Sequence, residues 1–177
     1  MQTRYVALLR AVNLGSHKKI AMPVLRELLS GLGHAGVETY LQSGNAVFTA
    51  PTQRAEQVAA EIEERLAGDI GLQTEVLVRT AGELRAVVDH NPLEVRDPAR
   101  FTVLFLYEPP PADWLGGFEP GAFAPEEMRA AERELYLHLP NGIGRARLPQ
   151  AVGRRLKVPS TMRNWKTVTN LLELAGG

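Results

Sequence analysis

Residues 37–49 read VETYLQSGNAVFT, and this stretch decides the fold. Val37 to Gln42 has the β-branched and aromatic content of a strand. Ser43-Gly44-Asn45 is a tight connection, and Ala46 to Thr49 resumes as a strand, so the segment reads as a hairpin. On each side lies a helical pattern. Upstream, Pro23 to Leu32 carries the stripe Leu25, Leu28, Leu29 and Leu32, with Pro23 in the first turn and Gly33 as the stop. Downstream, Thr52 to about Leu66 is amphipathic: Ala55, Val58, Ala59, Ile62 and Leu66 share a face, and Glu61, Glu63, Glu64 and Arg65 lie outside it. Further out, Arg4 to Val12 and Gln73 to Arg79 read as strands. The order β-α-β-β-α-β predicts a ferredoxin-like unit, an antiparallel sheet with two helices on one face.

The second half predicts another small α+β unit with antiparallel strands and a C-terminal helix. Thr80 caps a helix from Ala81 to about Asp89, which closes before Pro92. Phe101 to Tyr107 is continuously apolar, the pattern of a strand buried on both faces. A Pro-rich loop at Pro109 to Pro111 leads to a helical turn near Trp114. Met128 to Ala131 and Leu135 to Leu139 read as two strands, and Pro140 to Gly144 as a loop. A short helix or irregular stretch continues to Lys157. The last helix is expected from about Thr161 to Ala175, with Trp165, Val168, Leu171, Leu172 and Ala175 as its stripe. The fold class is α+β. Residues 1–80 form the ferredoxin-like subdomain and 81–177 the second, tightly joined because no flexible composition separates them. No strong internal repeat shows in the sequence.

The 177 residues suffice for a proper core, and the apolar fraction of 45% argues against disorder. The absence of cysteine excludes disulfides and thiolate chemistry. The opening MQTRYVALLRAV is too short for a signal peptide and alternates like a strand, and no apolar run reaches membrane-spanning length. A cytoplasmic protein with no membrane association is therefore expected. The formal net charge of zero hides an uneven distribution. No acid occurs from Met1 to Arg26, and acids dominate from Glu108 to Glu134. Residues 140–172 are acid-free and carry Arg145, Arg147, Arg154, Arg155, Lys157, Arg163 and Lys166.

Familiar catalytic signatures are missing. There is no P-loop, no strand-linked G-x-G-x-x-G, no H-E-x-x-H and no G-x-S-x-G. His17, His34, His90 and His138 stand far apart without ligand spacing, so no metal and no cofactor is expected. His138 reads as a structural histidine, and Glu126 and Glu127 as solvated surface. Four candidate binding segments remain. In the first, from Asn13 through Lys18 and Lys19, Gly15 permits close backbone approach and the lysines supply charge. The second is Gln42-Ser43-Gly44-Asn45, which ordinary turn chemistry explains well. The third runs from Asn141 to Arg147: Gly142 and Gly144 can expose N–H groups, and Arg145 and Arg147 can clamp an oxyanion. The fourth, Arg163-Asn164-Trp165-Lys166, falls in the opening turns of the expected last helix, where free N–H groups attract anions. Trp165 belongs to the apolar stripe.

Together, RYVALLRAVNLGSHKKIAM, TYLQSGNAVF, LYLHLPNGIGRARL and TMRNWKTVTNLLELA resemble the family called domain of unknown function 1697. The resemblance spans nearly the whole chain. It implies a bacterial-type cytoplasmic protein with a ferredoxin-like N-terminal unit and a second α+β unit, and it lends no catalytic residue. Motif membership falls on Arg10, Asn13, Gln42, Ser43, Gly44, Asn45, Asn141, Gly142, Gly144, Arg145, Arg163, Asn164, Trp165 and Thr167. Ala11 stands where the family usually has glycine, and Ala146-Arg147 where it usually has Ser-Lys.

Three functional expectations follow. The foremost is a binding protein for a phosphate-bearing partner, nucleic acid or nucleotide, motivated by the acid-free basic third and the helix-start anion sites. Some RNA-binding modules use a ferredoxin-like sheet, although Tyr5, Tyr40 and Phe48 are the strand aromatics here and no RNP-like signature occurs. The second is an enzyme on a small anionic substrate, with Arg145, Arg147, Arg163 and Lys166 holding the anion. The third is a protein–protein adaptor. The sequence leaves the oligomeric state open.

Overall fold

In β1 (Gln2–Leu9) successive side chains point to opposite faces of a sheet, and Tyr5 to Leu9 are all buried, so both faces are covered. The computed structural model describes residues 1–15 and 17–177, with Pro120 described by its backbone alone. Ser16, in the first candidate segment, therefore lies outside the described residues. β1 is followed by α1 (Met22–Gly31), β2 (Ala35–Tyr40), β3 (Asn45–Pro51), α2 (Ala55–Ile70), β4 (Val76–Thr80) and α3 (Ala81–Asp89). The sheet order is β2-β3-β1-β4, with every neighbouring pair antiparallel. This is the ferredoxin-like topology expected from the sequence.

Helix spacing explains the core of this sheet. Leu25, Leu28 and Leu29 of α1 and Val58, Ile62 and Leu66 of α2 meet Tyr5, Ala7 and Leu9 of β1 and Phe48 of β3 in one apolar cluster. Each such fully buried side chain contributes about 1.5–3 kcal/mol. α2 runs past Leu66 to Ile70 because its stop is Gly71, in the left-handed region at φ 64°. There the Gly71 N–H bonds the Ala67 carbonyl and the Leu72 N–H bonds the Leu66 carbonyl, closing the last turn. Tyr5 and Phe48 sit beneath the helices at 0% exposure, so they cannot serve as a base-stacking platform.

The second sheet contains β5 (Phe101–Leu106), β6 (Glu127–Ala130), β7 (Glu134–His138) and β8 (Ser160–Asn164), ordered β6-β7-β5-β8 and fully antiparallel. Between β7 and β8 lies α4 (Leu148–Arg155), and after β8 comes α5 (Trp165–Leu174). Leu148 and Val152 of α4 pack with Leu104, Leu106, Leu135 and Leu137. The helix expected from Thr161 begins only at Trp165, and Ser160–Asn164 is the strand β8 instead. Its register against β5, Leu104 opposite Met162 and Val103 opposite Arg163, pairs an edge that would otherwise be open. The Asn164 side chain accepts the Thr167 N–H at 2.9 Å, an N-cap that sets where the helix starts.

The chain divides into two compact units, Met1–Asp89 with Thr169–Gly177, and His90–Val168. The sequence alone suggests a division after Thr80. α3 belongs instead to the first unit, because it packs on β1 and β4 and buries Leu84 and Val87. The final residues also belong to the first unit, where the Arg4 guanidinium donates to the Leu174 carbonyl at 3.1 Å. Among the described residues no helix is long and apolar enough to cross a membrane.

The two units share a topology that the sequence hides. Numbered within its own unit, each sheet has strand order 2-3-1-4 with the same three antiparallel pairings, and each fourth strand runs straight into a helix. Equivalent positions carry equivalent residues at one place. Arg79 lies opposite Val6 and Arg163 opposite Val103, each one residue before the cap of the following helix. Both arginines are buried, and each guanidinium donates to the carbonyl of the residue before it, Val78 or Met162.

Candidate functional site

In the first unit, the loop after β1 and the turn between β2 and β3 are held together by one side chain. Asn13 takes a left-handed backbone at φ 56°, and its amide nitrogen donates to the Ile20 carbonyl at 2.8 Å and the Gln42 carbonyl at 2.6 Å. Its oxygen accepts the Ile20 N–H at 3.0 Å. Asn45 is fully buried and donates to the Tyr40 carbonyl and the Ser43 hydroxyl, both at 2.8 Å. Gly44, at φ 81°, lies so near β1 that a Cβ would stand 2.6 Å from Val12 and 2.8 Å from Leu9. Asn13, Gln42, Ser43 and Asn45 thus meet in one bonded cluster, in which Asn13 and Asn45 both donate to backbone carbonyls of the turns.

Arg10 and Lys18 reach the rim of an open groove of about 840 Å³ that Glu63, Glu64 and Glu75 also line. Arg10 is already paired with Glu75 at 2.7 Å. Three carboxylates beside two cations make this groove a poor receptor for an anion. Lys19 is exposed and lies outside the lining.

The second unit rearranges the other two segments. Arg163 is not at a helix start; it is a strand residue, 8% exposed, that donates to the Thr161 hydroxyl at 2.9 Å and the Met162 carbonyl at 2.8 Å. Burial pulls its guanidinium down to about 10, against the influence of Tyr107. Asn164 is the cap of α5, and Lys166 is exposed. Asn141 and Arg145 are exposed. Gly142 turns at φ 85° where a Cβ would stand 2.5 Å from the Arg100 guanidinium.

Glu126, expected on the surface, is 7% exposed. Its carboxylate accepts the Arg147 N–H at 2.9 Å and the Leu148 N–H at 2.7 Å, so the start of α4 is already filled by a carboxylate. Glu127, expected to be solvated, is half-buried and pairs with Arg96.

A second groove, of about 560 Å³, lies between the segment Gly117–Phe123 and α4, and Phe118, Phe123, Arg154 and Arg155 line it. The rings of Trp114, Phe118 and Phe123 follow one another at 6.2 and 5.9 Å. The Arg155 guanidinium lies 5.9 Å from the centre of the Phe118 ring, and Arg147 lies 5.7 Å from that of Phe123. These are cation–π distances. Arg155 is also fixed by a 2.7 Å bond from Nε to the Trp114 carbonyl. Ala151 also lines the groove, so α4 contributes Ala151, Arg154 and Arg155 to it. Of these residues, the sequence reading named Arg147, Arg154 and Arg155 as basic and Trp114 as part of a turn. It did not join them. The available signal was the run Trp114, Phe118, Phe123 in a chain only 6% aromatic, together with the adjacent Arg154-Arg155.

A solved structure described as conserved bacterial protein SP0830 from Streptococcus pneumoniae is similar over 99% of each chain, with a TM-score of 0.76 and 24% identity. That likeness shows the fold. No curated protein matches the chain. The family described as Protein of unknown function (DUF1697) matches residues 2–136, and the chain belongs to that family.

Proposed function

We propose that this protein binds a phosphate-bearing partner, nucleic acid or nucleotide, through the basic surface of its second unit. The observation that supports the reading is a set of exposed cations without counter-ions. Arg145, Arg147, Arg154, Arg155 and Lys157 are all exposed. None forms a carboxylate ion pair among the described residues. Cations left unpaired over so short a stretch favour a polyanion. The anion is not held at the α4 N-terminus, which Glu126 occupies, nor by Arg163, which is buried.

The test is fluorescence anisotropy with labelled oligonucleotides, single- and double-stranded, at low and moderate salt, beside a thermal-shift panel of nucleotides. Binding that weakens steeply with salt, and weakens further when Arg145, Arg154 and Lys157 are changed to Gln, is expected. No oligonucleotide binding at low salt together with no thermal shift from any nucleotide overturns the reading.

A further inference from the structure

We propose that the groove between the Gly117–Phe123 segment and α4 takes single-stranded nucleic acid, with bases stacking on Phe118 and Phe123 and phosphates meeting Arg154, Arg155 and Arg147. This rests on the reading given above and narrows it to one substrate class. Three features of the groove make the choice. First, two neighbouring aromatic rings of the lining each have a guanidinium group beside them: Arg155 at Phe118, and Arg147, just outside the lining, at Phe123. Rings and cations side by side suit a strand, which presents both flat bases and charged phosphates. Second, the groove is open along its length, and about 560 Å³ is ample for a ligand. A free nucleotide gains affinity from a pocket that encloses it, whereas a strand adds up contacts over successive nucleotides. An open groove therefore suits the strand. Third, a duplex hides its base faces in its own stack, so aromatic rings are of use to a strand and of little use to a duplex.

The charge balance agrees. Glu119 is the carboxylate of the lining, against Arg154 and Arg155, and Arg147 adds a further cation at the Phe123 ring. The rings are also held in place: Trp114, Phe118 and Phe123 rest on the apolar cluster beneath α4, so a base would meet surfaces that are already ordered.

The experiment compares a labelled single strand, as DNA and as RNA, with a duplex of the same length and with inorganic polyphosphate. The proteins are the whole chain and its Phe118→Leu and Phe118→Tyr variants, each checked by thermal melting. The expected result is single strand bound more tightly than duplex, about a tenfold loss or more for Phe118→Leu, and recovery in Phe118→Tyr. Duplex bound as well as single strand, with Phe118→Leu unchanged, would leave phosphate binding in place and overturn stacking. No binding of any polyanion would overturn both. Should Phe118→Leu fail to fold, a Trp165→Phe background leaves Trp114 as the reporter, since the chain has two tryptophans. Its fluorescence should change with the single strand and not with polyphosphate; equal responses to the two would overturn the stacking assignment.

Discussion

The side chain of Asn13 joins two loops that are 29 residues apart in sequence, donating to the Gln42 carbonyl at 2.6 Å while also bonding both backbone groups of Ile20. The tie accounts for motif residues in both segments without invoking a ligand. A side chain with one donor group and one acceptor satisfies three backbone groups, and its own left-handed backbone suits asparagine better than most residues.

Asn13→Ala should cost about 2–4 kcal/mol, because it strands three backbone partners and leaves a Cβ-bearing residue in the left-handed region without compensation. Asn13→Gly keeps the backbone and loses the bonds, so it should cost less. Urea denaturation midpoints check both. A neutral result for Asn13→Ala would show that the tie contributes nothing.

Ala11 lies at φ 55°, where alanine is strained. The family resemblance places glycine here, and the structure supplies the reason. Ala11→Gly should raise stability by about 0.5–1 kcal/mol, the left-handed penalty less the added entropy of the unfolded chain. Gly44→Ala should do the reverse, by about 2–4 kcal/mol, since its Cβ would collide with Val12 and Leu9. Thermal melting of the two variants reads both signs.

His34 is 7% exposed, stacks on Phe48 at 4.5 Å, and has no hydrogen-bond partner on either ring nitrogen among the described residues. Burial lowers its pKa below 6.5, with Glu61 acting weakly the other way. The unfolded chain then takes up a proton near its ordinary pKa that the folded chain refuses. Stability from this residue is therefore intact above about pH 7 and is lost as the pH falls through about 6.5. His34→Phe should flatten the dependence of stability on pH in that window. Parallel profiles for wild type and variant would show that His34 is not the cause.

Glu126 is a side-chain cap for α4 presented from a neighbouring segment. Glu126→Ala leaves the Arg147 and Leu148 N–H groups without their acceptor and should cost about 2–3 kcal/mol. Glu126→Gln retains a carbonyl oxygen and should cost less. Hydrogen exchange at the Arg147 and Leu148 amides would quicken in Glu126→Ala if the assignment is right, and remain at the wild-type rate if it is not.

Local pattern was enough for most of the first unit. The hairpin at Ser43-Gly44-Asn45, the stripe of α2 and the Thr80 cap all follow from nearby residues. In the cap, the Thr80 hydroxyl accepts the Glu83 N–H at 3.1 Å and Glu83 accepts the Thr80 N–H at 2.8 Å. Each of these features is decided within a few residues, so periodicity and capping chemistry reveal it. The α+β class and the β-α-β-β-α-β order were legible for the same reason.

What tertiary structure decided are the contacts between residues distant in sequence. Thr161 to Asn164 became strand because β5 offered an edge to pair, and that one change took Arg163 from an expected anion site into the interior. Glu126 became a helix cap because α4 begins beside it. Phe118 and Phe123 came to face Arg155 and Arg147 across a groove because α4 and the preceding segment share an apolar floor. Local spacing was enough for the helices of the first unit, the hairpin and the basic composition of the C-terminal third. Which of those cations are left unpaired and exposed, and which aromatic rings stand beside them, depends on contacts between residues 21 and 41 apart in sequence, and no local period encodes that.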